Sequence, residues 1–146
     1  MKWLVLAIGK PQLAYARSGI EEYLGRLQRI ADVRVEYLKS PGPEKESALL
    51  LEKSEGWRRV VLDERGAQVT SREFAAKVSA WEMSGTKGIA LLIGGADGHR
   101  EELRRAAEWT WALGKITLQH ELALVVLLEQ LYRAYGIKVG TPYHRD

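Results

Sequence analysis

The residues able to do chemistry in this chain of 146 are few, and they gather at two places. One is Gly94-Gly95-Ala96-Asp97-Gly98, which ends the apolar run Ile89-Ala90-Leu91-Leu92-Ile93 and leads into His99-Arg100. The other is the tail Tyr143-His144-Arg145-Asp146. An unbroken apolar run reads as a strand buried on both faces. Glycines at its end let the backbone turn sharply and let a ligand come close to the peptide groups. In open α/β sheets the crevice outside the carboxyl ends of strands is where ligands bind. A tight turn with no ligand is the plain structural reading of the same glycines.

Several chemistries lack their essential groups. With no cysteine there is no thiolate metal site and no thiol nucleophile, and His99, His120 and His144 are too few to predict a zinc site. A dinucleotide fingerprint belongs directly after the first strand, where this chain has only Gly9-Lys10-Pro11. A P-loop needs Lys followed by Ser or Thr, but Gly98 is followed by His99-Arg100. No G-x-S-x-G nucleophile elbow is present. A late glycine turn beside an apolar loop suits an uncharged, adenosine-like group held by backbone hydrogen bonds. A net charge of +3, from 22 Lys and Arg against 19 acids, permits a polyanionic partner without demanding one. The apolar stretch Met1–Gly9 is too short to span a membrane and reads as a first strand, so a soluble cytoplasmic protein with no membrane partner is expected.

The elements that must position these residues follow from pattern. Strands are predicted at Met1–Ile8, at Val33-Val35-Tyr37 near a sheet edge, at Arg59–Asp63, at Ile89–Ile93 and around Trp109-Trp111-Leu113. Glu64-Arg65-Gly66 reads as a turn out of the third strand. Ser18-Gly19-Ile20-Glu21 and Thr70-Ser71-Arg72-Glu73 both fit the capping box. The first helix then presents Ile20, Tyr23, Leu24, Leu27 and Ile30, and the other presents Phe74, Val78 and Trp81. Further helices are predicted from about Glu44 to Glu55, from about His99 to Ala107 with Asp97 as its cap, and from about His120 to Tyr135. The last is apolar all the way round from Leu122 to Leu128, so it must be covered on several sides. It either threads the core or packs on a second copy of the chain, and the second reading is favoured. Alternating strands and helices define an α/β domain with a largely parallel sheet, a single domain spanning 1–146.

The motifs also resemble one family over essentially the whole chain. Leu91-Leu92-Ile93-Gly94-Gly95, Thr117-Leu118-Gln119-His120, Leu128–Tyr135 with its Tyr-Arg-Ala, and the closing Gly140-Thr141-Pro142-Tyr143-His144-Arg145-Asp146 are similar to the bacterial ribosomal RNA large-subunit methyltransferase H family. The resemblance implies a SPOUT-type α/β knot, a trefoil-knotted, mostly parallel sheet flanked by helices. It implies methylation of N3 of a pseudouridine in large-subunit ribosomal RNA, met within the ribosome, by a homodimer without a metal. The implied cofactor is S-adenosyl-L-methionine. It would be held by Leu62, by Gly94 and Gly95, and by Leu113, Gly114, Lys115, Ile116, Thr117 and Leu118 before the last helix. There are two departures: Gln119 stands where the family usually has proline, and Leu124 where it commonly has arginine. Arg133 or Lys138 would then take over any contact made by that arginine.

Transfer to an imide nitrogen needs the reacting atoms held in line and a destination for the N3 proton. His144 is the first candidate acceptor, and Tyr143 a candidate for stacking on the base. The bland readings are a solvated tail histidine and an aromatic plug. Arg133, Arg145 and Arg104 are candidates for RNA phosphates, although Glu129 four residues before Arg133 also fits a helix-surface ion pair. Arg100, Arg104 and Arg105 equally suit a solvated helix face, and His120 suits either a cap of the last helix, the favoured reading, or the lining of the cofactor loop. The competing functional reading is a non-catalytic RNA-binding or ribosome-binding protein on the same fold.

Overall fold

The computed structural model describes residues 1–95 and 99–143. Its strands are β1 (Lys2–Ile8), β2 (Asp32–Leu38), β3 (Arg58–Gln68), β4 (Gly88–Ile93) and β5 (Trp109–Ala112). They lie in the order β2-β1-β4-β3-β5, and every neighbouring pair is parallel. Position in the sheet explains each sequence pattern. β4 is the middle strand and its apolar run Ile89–Ile93 is buried on both faces. β2 is an edge strand, and there Val33 is buried while Asp32 and Arg34 are exposed.

The helices are α1 (Ala14–Gln28), α2 (Glu46–Lys53), α3 (Ser71–Met83), α4 (Glu101–Ala106) and α5 (His120–Val139). Alternation along β1 divides the core between the two faces of the sheet. Trp3 and Val5 pack with Ile20, Phe74, Val78 and Leu127 of α1, α3 and α5. Leu4 and Leu6 pack with Leu50 of α2 and Leu103 of α4 on the opposite face. Each large side chain fully buried in these layers contributes about 1.5–3 kcal/mol. Trp3 also donates its indole N–H to the Tyr135 hydroxyl at 2.9 Å, tying β1 to α5.

The capping box at Thr70–Glu73 forms as predicted: the Thr70 hydroxyl accepts from the Glu73 N–H, and the Glu73 carboxylate accepts from the Thr70 N–H. The one predicted at Ser18–Glu21 does not form. Helix α1 starts five residues earlier, at Ala14 with Leu13 as its N-cap, and Ser18 lies inside it. The amides leading into it are met from far along the chain, because Glu121 Oε1 accepts from Gln12 N–H and Leu13 N–H at 2.7 and 2.9 Å. Gly19 serves helix packing instead: a Cβ there would stand 3.0 Å from Val125 Cγ1 of α5. Ile30 lies beyond α1 and is 52% exposed, so it does not belong to the buried stripe.

Other boundaries also moved. Pro43–Lys45 makes a 3-10 turn before α2, and α4 begins at Glu101 with Arg100 at its N-cap. Asp97, the predicted cap, lies outside the described residues. Glu64-Arg65-Gly66 is not a turn out of β3. The strand makes an irregular excursion and resumes pairing with β5 at Ala67 and Gln68. A Cβ on Gly66 would lie 2.5 Å from the Thr110 carbonyl oxygen, so glycine is what lets the two backbones pass so closely.

Helix α5 packs against both α1 and α3. Leu124, Leu127, Leu128 and Leu131 are buried, whereas Leu122, Val125 and Val126 keep partly exposed sides. The core thus accounts for much of the all-round apolar pattern. The helix ends at Gly140 in the left-handed conformation (φ 74°), with Thr141 N–H returning to the Gly136 carbonyl.

Candidate functional site

The excursion in the middle of β3, the carboxyl ends of β4 and β5 and the first turn of α5 surround a cavity of about 210 Å³. Leu62 enters from β3, Gly94 and Gly95 from the turn after β4, and Leu113 and Gly114 from the end of β5. Ile116, Thr117 and Leu118 complete the wall before α5. Eight of the nine residues expected around a cofactor are therefore brought together, and Lys115 alone does not line the space. Gly95 sits close against α2, where an added Cβ would come within 2.9 Å of Glu46 Oε1. Glu46 is itself buried and accepts from the Ser40 hydroxyl at 2.6 Å.

The wall also holds His120 and four groups that sequence reasoning passed over: Asp63, Glu64, His99 and Trp111. Asp63 was read as the last residue of a strand. An acid placed directly after a buried strand and before a predicted turn was the available signal. Its side chain is 4% exposed and receives two hydrogen bonds from the Arg65 guanidinium and one from the Arg65 N–H. Burial works to raise the Asp63 pKa, but the Arg65 contacts and the field of His99 prevail and hold it below the usual carboxylate value. Thr117 donates its hydroxyl to Glu64, joining the β3 excursion to the segment before α5.

His99 is buried, with its Nε2 3.2 Å from the Leu92 carbonyl. Burial lowers its pKa, against the opposing pull of Asp63 and the backbone of Leu92 and Leu62. Its Nδ1 is buried without a hydrogen-bond partner among the described residues. The His99 carbonyl accepts from Arg104 at 2.6 Å and from Arg65 at 3.1 Å. Arg104, expected at RNA phosphates, is thus directed inward and also approaches Asp63 at 3.8 Å. Arg105 pairs with Glu101 on the helix surface at 3.0 Å.

The opening of α5 is capped by Gln119, whose Oε1 accepts from Glu121 N–H and Leu122 N–H. This gives the departure from proline a local purpose. It also leaves His120 to line the cavity rather than cap the helix. Leu124, the other departure, is a core residue.

Tyr143 lies elsewhere. Tyr143 donates its hydroxyl to Glu129 at 2.8 Å, lies 3.1 Å from the Tyr23 hydroxyl and packs edge-on against Tyr132. Burial, reinforced by the Tyr23 and Glu129 contacts, raises its pKa well above that of an ordinary tyrosine. Arg133 pairs with Glu129 at 2.8 Å and lies 5.0 Å from the Tyr143 ring, and Lys138 pairs with Glu82. Glu129 is nine residues along α5 from His120, about 13 Å of helix axis at 1.5 Å per residue. Neither Tyr143 nor Arg133 lines the cavity of its own chain. His144 and Arg145 lie outside the described residues.

The cavity suits a group like adenosine. It offers backbone from three loops, apolar cover from Leu62, Trp111 and Leu113, and a buried imidazole nitrogen of His99 with no partner among the described residues. Among the described residues no cluster of three or more His, Asp or Glu could hold a metal ion, and no helix is long and apolar enough to cross a membrane.

A family model described as Predicted SPOUT methyltransferase matches residues 1–144. The chain is 47% identical over 145 residues to ribosomal RNA large subunit methyltransferase H of Thermus thermophilus, and 41% identical over 145 residues to that of Deinococcus radiodurans. Each match covers 99% of both chains. It is also similar in structure to a probable methylase family protein from Haemophilus influenzae, with TM-score 0.63 and 13% identity over 96% of this chain and 69% of that one. The tRNA (m1G37) methyltransferase from Aquifex aeolicus follows, with TM-score 0.55 and 12% identity over 91% of this chain and 70% of that one. At these identities the two structures show a shared fold.

Proposed function

This chain belongs to the SPOUT methyltransferase family, and from that membership we propose that it methylates N3 of a pseudouridine in large-subunit ribosomal RNA, using S-adenosyl-L-methionine. The observation that carries the reading is the full-length similarity to the ribosomal RNA large subunit methyltransferase H proteins. The position of the cavity supports it, because the segments expected to hold the cofactor converge there. The trefoil knot and a cytoplasmic location belong to the same proposal.

When bound, S-adenosyl-L-methionine supplies a methyl group on a positively charged sulfur, which an electron-rich ring nitrogen displaces in line. The chain's own part is to hold, orient and exclude water. Leu62, Trp111 and Leu113 provide apolar cover, while the loop backbones at 94–95 and 113–118 provide hydrogen-bonding groups. The N3 proton requires an acceptor, and we assign that role to His144. Tyr143 is left with positioning, since a phenol held protonated cannot take a proton near neutral pH.

Tyr143 is anchored to Glu129, about 13 Å along α5 from the cavity-lining His120, and we infer that a second copy of the chain completes the site. The partly exposed Leu122 and Val126, with Leu13, Tyr15 and Ile116 exposed at the same end of α5 and α1, support such a homodimer. The test is methyl transfer from labelled S-adenosylmethionine to 70S ribosomes and isolated subunits from cells lacking the modification. Label in a pseudouridine of large-subunit RNA is the expected result. Cofactor binding without incorporation discards the target, and absence of both leaves a non-catalytic binding protein.

A further inference from the structure

The cavity wall has an unusual charge pattern for a chain whose net charge is +3. Among the described residues its lining includes two carboxylates, Asp63 and Glu64, and no lysine or arginine. The nearby cations stand behind the wall: Arg65 and Arg104 both approach Asp63, at 2.7 and 3.8 Å, without lining the space. The carboxylate of each pair thus belongs to a residue of the wall, and the cation to a residue that does not line it. Glu64 adds a second carboxylate, joined to the Thr117 hydroxyl of the same wall. The other titratable groups on the wall are His99 and His120. The arginine-supported Asp63 is held in its charged form, and His99 is held neutral by burial.

On the reading that this cavity holds S-adenosylmethionine, the charge of its sulfur is the one feature that transfer removes. Methyl transfer breaks the S–CH₃ bond with its electron pair passing to sulfur. An N–CH₃ bond forms, the N3 proton leaves to the acceptor, and S-adenosylhomocysteine remains with a neutral thioether. We propose that Asp63 and Glu64 are specificity-determining residues that recognise the cationic sulfur, so that the cavity holds the methyl donor more tightly than the spent product. A wall carrying fixed negative charge interacts more favourably with a cation than with its neutral counterpart of nearly the same shape, and partial exclusion of water strengthens the difference. Product release is then assisted by the reaction itself.

The test is isothermal titration calorimetry of the full chain with three probes: S-adenosylmethionine, S-adenosylhomocysteine, and sinefungin, which carries an ammonium at the sulfur position. The wild-type chain should bind both cationic ligands about tenfold more tightly than S-adenosylhomocysteine, roughly 1.4 kcal/mol. That ratio should shrink as salt screens the exposed carboxylate. Glu64 is exposed, so Glu64→Gln can be made without disturbing the core; it should reduce the ratio to about threefold or less, chiefly by weakening the cationic ligands. Asp63→Asn should reduce it further, because it leaves Arg65 and Arg104 unneutralised. Glu22→Gln, which removes one exposed charge from a residue that does not line the cavity, should leave the ratio intact. Equal or tighter binding of S-adenosylhomocysteine by the wild-type chain overturns the proposal. So does a ratio unmoved by Glu64→Gln, or one lost equally in Glu22→Gln. Failure of all three ligands to bind overturns the cofactor reading itself, a result distinguishable from binding without discrimination.

Discussion

Glu121 and Leu13 are joined across 108 positions of sequence: the carboxylate at the start of α5 accepts the Leu13 N–H at 2.9 Å just before α1 begins. Gln12 N–H shares the same oxygen at 2.7 Å. One side chain therefore satisfies amides that α1's own residues leave unmet. The hydrogen bond from Leu13 leads the influences that hold the Glu121 pKa low; burial opposes it and the Gln12 bond adds to it. Glu121→Ala should lower the melting temperature by several degrees, and Glu121→Gln, which keeps an acceptor, should lower it less. Because the folded-state pKa is depressed, the carboxylate's contribution is present above the unfolded value and disappears as pH falls through the folded value. Thermal melts of wild type and Glu121→Gln should therefore converge on acidification. A gap that stays constant would exclude the carboxylate as its source.

His99 supplies a second acid sensitivity. Buried neutral, it takes a proton more readily when unfolded, so stability falls as pH drops below its ordinary value of 6.5 toward its lowered folded value. Denaturant midpoints measured across that range should decline in the wild-type chain. In His99→Gln that part of the slope should vanish, whatever the variant's stability at neutral pH. An unchanged slope would locate the titrating group elsewhere.

Gly95 tests the cavity from the side of α2. Gly95→Ala places a Cβ 2.9 Å from Glu46 Oε1, so either the turn or the buried carboxylate must move. Such overpacking costs about 1–3 kcal/mol. S-adenosylmethionine affinity, measured by calorimetry, should fall about tenfold if the turn takes up the strain. Adding Glu46→Asp, which withdraws the carboxylate, should recover part of the loss. Full affinity in Gly95→Ala would show that the carboxylate gives way and the turn keeps its place.

The tail separates binding from transfer. His144→Ala should reduce methyl transfer strongly while leaving cofactor affinity nearly unchanged, because the role proposed for it is to accept the N3 proton and not to bind the cofactor. Tyr143→Phe removes the hydroxyl bonded to Glu129. It should leave the shape of the pH–rate profile intact, since the raised phenol pKa keeps Tyr143 out of proton transfer near neutrality. A profile that loses a limb in Tyr143→Phe would reassign the base.

Local chemistry was legible where local partners decide the outcome. Thr70 and Glu73 cap each other, and their box could be read from four residues. Ser18 and Glu21 present the same pattern, yet Glu121 sets where α1 begins, and nothing near Ser18 announces it. The apolar run of β4 marked the middle of the sheet, and its glycines marked the cavity. The excursion of β3 was hidden because Gly66 serves a partner strand more than forty residues away. Asp63 and His99 were passed over for a related reason: their neighbours in the wall come from different strand ends. The position of Tyr143 depends on Glu129, Tyr132 and Tyr23, which no spacing rule connects.

Three consecutive residues at the start of α5 serve three separate purposes. Gln119 caps the helix, His120 lines the cavity, and Glu121 holds α1. An α-helix turns about 100° per residue. Inserting or deleting a single residue between Leu118 and Gln119 would need the loop to absorb the change completely; otherwise the helix rotates and all three contacts are lost together. The segment from Gly114 to Leu118 should therefore tolerate changes of side chain more readily than changes of length.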